Sequence, residues 1–398
     1  MSSSVMSHIL PPLRFTGATV LRDGELQQRS VAVADGRITK GPLPEVDLSG
    51  YLILPGIIDL HGDAFERHVA PRPTAPFSLN IGLSSVARDA ASHGVTTAWL
   101  AQSWSWEGGR RSPERAVEVM RAVGRFRRRA SIDLRLQVRC ETHLVDSGPA
   151  LLNAVREFGI DYVVFNNHLP EAMELMQNDP ARLAHWAREA GRTPEDHMTL
   201  VETAMARGRE VPRHLCRLAE AFDGLGVVYG SHDDPDGETR ERYSMIGARL
   251  AEFPTSRSAA AAAHAMGDPV IMGAPNVVRG GSQAGNIAAA DLVRQGLCDA
   301  LVSDYYYPAL AEAAWTLVDA GILSLPKAWA LISTNPAEIL RQPDRGRIDY
   351  GRRADLCVVN AETRQVEMTI SGGRLAYLTG EAAHRFAHRI SPMSLAAE

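Results

Sequence analysis

Two textures alternate along the chain. Near the start, FTGATVL, RSVAVADGRIT with its Asp35-Gly36 turn, and the approach to YLILPG are short runs of branched and apolar residues broken by turn signals, and they read as strands. The far end repeats this texture in ADLCVVN, QVEMTIS and RLAYL, the last two joined by Gly372-Gly373. These runs predict one β-sandwich domain composed from both termini, over 13–52 and 345–380, with a flexible start over 1–12 and a tail over 381–398.

Between them strand-like runs alternate with helical periodicity. GIIDLHGD, GVTTAWLA, DLRLQVRCETH, DYVVFNNH, GVVYGSHDD, RLAEFPTS, DPVIMGAPN and ALVSDYYYP are the strands, and stretches such as PERAVEVMRAVGRF are helices. Eight β-α repeats predict an α/β fold, a closed (β/α)8 TIM-like barrel over 53–344. One connection is long: about 169–225 is helical, with ARLAHWAREAG and HLCRLAEAF, and is a candidate lid, a homo-oligomer contact or a decoration.

Composition narrows the function classes. A formal net charge of −5 over 398 residues argues against a nucleic-acid-binding surface. No apolar run is long enough to span a bilayer, and the start lacks a basic region followed by a long apolar one. The four cysteines, Cys140, Cys216, Cys298 and Cys357, form no CxxC pair, which fits a reducing compartment. The expectation is a cytoplasmic protein acting on a small molecule. Of the 42 cationic residues only Lys40 and Lys327 are lysines.

Candidate chemistry lies at the strand ends, where barrels place it. His61 and Asp63 share a strand face because side chains alternate with a period of two. Further along come Glu141 and His143, then His168, then His232, Asp233 and Asp234, then Asp304. The expected metal ligands are His61, Asp63, Glu141, His168, His232 and Asp304. Imidazole and carboxylate without thiolate suit a divalent cation: zinc, with manganese or iron(II) as alternatives, as one ion or two. A carboxylate between two cations offsets their repulsion, which favours a pair bridged by Glu141.

A metal-bearing barrel between LPGIIDLHGD and GRRADLCVVN resembles the amidohydrolase superfamily. Many members bridge two metals with a carboxylated lysine; here Lys40 falls in the first β region and Lys327 in a late helix, so the resemblance leaves Glu141 for that role. LHGDAFERHVAPRP, RCETH, SHDD, AEFPTS, IMGAPNVVRGGSQAGN and VSDYYYPA resemble a branch acting on ribose 1-alkylphosphonate 5-triphosphates in phosphonate catabolism. That branch commonly has an Asp-His-Ser-Pro-Gly-Gln-like run where this chain has Asn167-His168-Leu169-Pro170-Glu171-Ala172, and a threonine where it has Gly62.

The resemblance implies hydrolysis at the α phosphorus with pyrophosphate leaving. A divalent metal lowers the pKa of a bound water, and Asp304, at the eighth strand end, is expected to hold that water and accept its proton. Arg279, Gly280, Gly281 and Ser282 are the expected phosphate site: glycine lets backbone N–H groups approach an anion, and arginine offers a planar fork. Arg72, Arg67 and His68 are further candidates for charge. His143 is the expected proton donor to the leaving group, with a ligand or structural role as alternatives. Tyr305–Tyr307 are expected to wall the pocket. Amide or cyclic-amide hydrolysis is the competing reading, and a non-catalytic scaffold the third.

Overall fold

The structure is a computed structural model that describes residues 9–72 and 75–390. Residues 1–8 of the expected start and 391–398 of the expected tail lie outside the described residues. Eight parallel strands form the central sheet: β1 Ile57–Gly62, β2 Val95–Trp104, β3 Asp133–Glu141, β4 Tyr162–Asn166, β5 Val228–His232, β6 Ala251–Glu252, β7 Val270–Gly273 and β8 Ala300–Val302. Each pairs in parallel with the next in chain order. Nearly every residue of these strands is buried, as expected for a parallel sheet covered by helices.

Closure between β8 and β1 depends on side chains as much as on backbone. Asp304 N–H donates to the His61 carbonyl and Asp63 N–H to the Asp304 carbonyl, both at 2.9 Å. Below them Asp59 accepts from the Ser303 N–H at 2.8 Å and from its hydroxyl at 2.6 Å. Ile58, Leu60, Trp99, Tyr162, Val164, Ile271, Ala300 and Val302 form one apolar cluster. Side chains from β1, β2, β4, β7 and β8 of a closed sheet can meet only inside it, so the barrel interior is packed.

Two terminal sheets enclose a second core. Leu13–Thr16, Val31–Ala34, Arg37–Thr39 and Glu45–Asp47 make a four-stranded sheet. Thr19–Arg22, Glu25–Gln28, Tyr51–Pro55, Leu356–Asn360, Val366–Ser371 and Arg374–Leu378 make a six-stranded one. Leu356–Asn360 runs antiparallel to Tyr51–Pro55, which ties the two ends of the chain together. The helix Gly380–Ile390 adds Ala382 and Phe386 to this core.

The long β4–β5 connection folds as Leu169–Asn178, Pro180–Glu189, Pro194–Ala206 and Val211–Leu225. Each helix has proline in its first turn, where a missing N–H costs nothing. Asp179 and Thr193 cap the second and third by accepting from backbone N–H groups. Leu169, Ala172, Val201 and Ala204 pack on Trp106, in the loop after β2. No helix among the described residues is long and apolar enough to cross a membrane.

Candidate active site

The β1–β2 ladder is interrupted between Asp59 and Gly62, and such a bulge re-aims the residues that follow it. His61 and Asp63 both line a cavity of about 320 Å³. Arg139, His232, Asp233, Asp304, Arg279 and Ser282 line it too. Three strand ends turn sharply beside it, with positive φ at Asp233 (59°), Phe253 (53°) and Asp304 (55°). Non-glycine residues adopt that conformation at a cost, and such positions cluster at functional sites.

His61, Asp63 and Asp304 bring donor atoms close enough to share one cation, and so do His61, His232 and Glu252. His61 Nδ1 donates to Glu252 Oε2 at 3.0 Å, which leaves its other ring nitrogen free to ligate. His232 is buried and neither ring nitrogen is hydrogen-bonded, although Asp233 Oδ2 lies 3.0 Å from Nδ1 and Glu252 Oε2 3.6 Å from Nε2. The Phe253 ring meets both imidazoles edge-on at 5.1 Å. Acids beside a buried imidazole whose ring nitrogens are not hydrogen-bonded fit a divalent cation.

The two imidazoles differ in their electrostatics. Burial alone would lower the His61 pKa, but the charge and hydrogen bond of Glu252 outweigh it and the ring ends above its usual value. Burial holds the His232 ring below its usual value and so keeps it neutral, as a ligand must be. Burial, then the charge of Asp63, pushes the Asp304 carboxyl up to about 6.

A second group stands beside the first. Glu107, Glu141 and His168 also bring three donor atoms together. His168 Nδ1 lies 2.7 Å from Glu141 and 2.9 Å from Glu107. Burial opposes the imidazolium, yet the two acids raise the His168 pKa to about 9. Glu141 also accepts from Asn166 at 2.8 Å and from the Trp106 indole at 3.1 Å. The six expected ligands therefore divide: His61, Asp63, His232 and Asp304 share the cavity, while Glu141 and His168 meet Glu107. The positive charge of His168 still acts on Asp233, so the groups are electrostatic neighbours.

Other expected residues scatter. Arg279 reaches the cavity and donates to the Tyr305 hydroxyl at 3.0 Å; Gly281 and Ser282 line it, and Gly280 forms the left-handed turn at φ 77°. His68 lies elsewhere, 3.1 Å from Asp89. Arg72 is exposed and is not among the cavity-lining residues. His143 is half-buried beside Thr142, and burial lowers its pKa.

Sequence reasoning missed Glu252, Glu107 and Arg139. Glu252 stood within a recognised strand, AEFPTS, so its place as the last strand residue was the available signal. Glu107 follows β2 in a tryptophan-rich loop and offered none. Arg139 lies two residues before Glu141, the same strand parity, and its Nε is buried without a hydrogen bond.

The chain is 30% identical over 364 residues to the alpha-D-ribose 1-methylphosphonate 5-triphosphate diphosphatase of Escherichia coli K12, covering 87% of this chain and 94% of that one. The chain belongs to the family of that enzyme. N-acetylglucosamine-6-phosphate deacetylase from Pasteurella multocida shares the fold at TM-score 0.60 and 12% identity, over 92% of this chain and 99% of its own. Beta-aspartyl dipeptidase from Fervidobacterium islandicum does so at TM-score 0.58 and 13% identity, over 93% and 97%. No protein-family model matches the chain. The acid–imidazole groups have the donor chemistry and spacing of a divalent-metal site.

Proposed function

We propose that the protein is a metal-dependent hydrolase that cleaves a ribose 1-alkylphosphonate 5-triphosphate to the 5-phosphate and pyrophosphate. The observation that carries this reading is a single cavity in which the β1, β5 and β8 acids and imidazoles face the Arg279–Ser282 turn. Family membership with a diphosphatase supports it. His61, Asp63, His232 and Asp304 would hold a cation, zinc by donor type with manganese or iron(II) as alternatives, which would supply Lewis acidity and lower the pKa of water from about 15.7 toward ~7. Glu107, Glu141 and His168 are the donor set for a second ion.

The protein's own groups do the rest. Asp304 takes the proton of the attacking water. A bond forms from the water oxygen to the α phosphorus, the α–β bridging P–O bond breaks, and pyrophosphate leaves with the electron pair. Arg279, the Gly280–Gly281 backbone and Ser282 hold the phosphates. Arg139 offsets charge that develops in the transition state. These cations give a phosphoryl substrate more than an amide substrate would need.

Phosphorus NMR of the purified holoenzyme in heavy-oxygen water tests the reading. The expected products are unlabelled pyrophosphate and a ribose 1-alkylphosphonate 5-phosphate whose 5-phosphate carries the heavy oxygen. Stepwise release of orthophosphate, or turnover of N-acyl or cyclic-amide substrates instead, would sink it. Arg279→Ala is expected to raise KM for the triphosphate more than it lowers kcat.

A further inference from the structure

A second cavity opens beside the first. It measures about 510 Å³ and is lined by Arg67, His68, Phe77, Ile81, Tyr305 and Tyr306 among others. Tyr305 is the wall that the two cavities share. It is held from both sides: Arg279 donates to its hydroxyl at 3.0 Å, and Arg67 donates to its backbone carbonyl. The divide between the cavities thus carries a guanidinium on each face.

The lining is an unusual mixture. Phe77, Ile81 and Tyr306 expose 54%, 55% and 53% of their surface around this one concavity. Three large apolar side chains left open together mark a binding surface more often than chance exposure. His68 and Asp89 pair at 3.1 Å, and Asp89 also lies 3.4 Å from His93, so the one acid of the lining is matched by imidazoles. Arg67 remains as the cation at the divide. An apolar wall with one cation beside the reaction cavity fits an organic group that carries an anionic head.

We propose that this cavity is the subsite for the C1 side of the substrate and accepts an organophosphonate whose carbon substituent is larger than methyl. The phosphonate oxygens lie at Arg67 and the substituent packs against Phe77, Ile81 and Tyr306. The proposal rests on the diphosphatase reading, in which the 5-triphosphate occupies the first cavity and the ribose passes Tyr305. A methyl group would leave most of the 510 Å³ and all three apolar side chains unused, so the space itself points to a longer alkyl or an aryl substituent.

The test compares ribose 1-phosphonate 5-triphosphates bearing methyl, butyl and phenyl groups, with the wild-type holoenzyme, Ile81→Glu and Phe77→Ala. Ser78 caps the helix Leu79–Ser92 by accepting from the Ile81 N–H. A glutamate at 81 completes a Ser-x-x-Glu capping box, so the helix is expected to persist. The ratio of kcat/KM for phenyl over methyl should exceed unity in the wild type and fall about tenfold in both variants. An unchanged ratio in both overturns the subsite.

A second arm needs no turnover. Phenylphosphonate, followed by saturation-transfer NMR, should bind the wild type and bind Ile81→Glu about fivefold more weakly. No binding to the wild type overturns the proposal. Binding with no triphosphate turnover would sink the diphosphatase reading while supporting an aryl-and-anion site here. A change of oligomeric state in Ile81→Glu with phenylphosphonate binding intact would assign this face to a second copy of the chain and overturn the proposal.

Discussion

His61 Nδ1 lies 3.0 Å from Glu252 Oε2, although the residues are 191 positions apart and sit on β1 and β6. Glu252 also accepts from Gln137 at 2.7 Å and from the Tyr162 hydroxyl at 2.8 Å, both at Oε1. Side chains from three other strands therefore converge on the one buried carboxylate of β6. Its effect is to place the proton of His61 on Nδ1 and leave the other nitrogen available to a cation.

Glu252→Gln tests this arrangement. The amide oxygen would keep the bonds from Gln137 and Tyr162, and its NH2 group would then face His61 Nδ1. Donor would oppose donor, the imidazole proton would move to the other nitrogen, and metal affinity should fall about tenfold to a hundredfold. Metal analysis of the purified variant, with turnover beside it, checks the outcome. Full metal content and full activity would remove Glu252 from this role.

Trp186 joins the helical insertion to the barrel by donating its indole N–H to Glu107 at 2.7 Å. Arg192 adds a bond to the Glu107 carbonyl at 2.5 Å. Trp186→Phe keeps most of the packing and removes the donor, at a cost of about 1–2 kcal/mol. Hydrogen exchange should quicken in Pro180–Glu189 and Pro194–Ala206 while β1 to β8 stay protected. Uniform exchange across the protein would show that the insertion is not anchored there.

Asp133 opens β3 and accepts from Arg345 at 2.8 Å and Arg135 at 3.1 Å. Burial opposes its ionisation, but the two arginines outweigh it and lower the pKa from 3.8 to about 2. As pH falls, the unfolded chain takes up this proton before the folded protein does. The stabilisation is therefore complete above the unfolded value and is lost between 3.8 and about 2. It amounts to about 2 kcal/mol. Urea unfolding of the wild type and Asp133→Asn should show a stability difference at neutral pH that shrinks across this acid window. A difference independent of pH would sink the assignment.

Gly230 lies on β5 where a Cβ would sit 2.3 Å from the Leu250 carbonyl oxygen. That obstacle is backbone, and moving it opens the β5–β6 ladder that sets His232 opposite Glu252. Gly230→Ala should cost about 2 kcal/mol or more and lower metal retention. Thermal unfolding measures the first effect. A variant as stable as the wild type would mean that the barrel relaxes more easily than its packing indicates.

Much of the architecture was legible in the residues. Apolar runs of four to eight, interleaved with helical periodicity, demand a covered parallel sheet, because such strands have no polar face to turn to water. The texture shared by YLILPG and ADLCVVN marked the sandwich, whose strands Tyr51–Pro55 and Leu356–Asn360 pair along their whole length. His61 and Asp63 could be read as neighbours because strand periodicity is local.

The partners of these residues were decided by tertiary structure. Which strand ends face one another depends on the stagger and tilt with which the sheet closes, and no short window of sequence encodes either. So Glu252 meets His61 from a two-residue strand, while Glu141 turns to His168 and to a glutamate from the loop after β2. The cavity under Tyr306 likewise exists only because Phe77, Ile81 and the segment after β8 come together in space. Local pattern determines which side chains are buried or aligned along one element; convergence between elements is a property of the closed barrel.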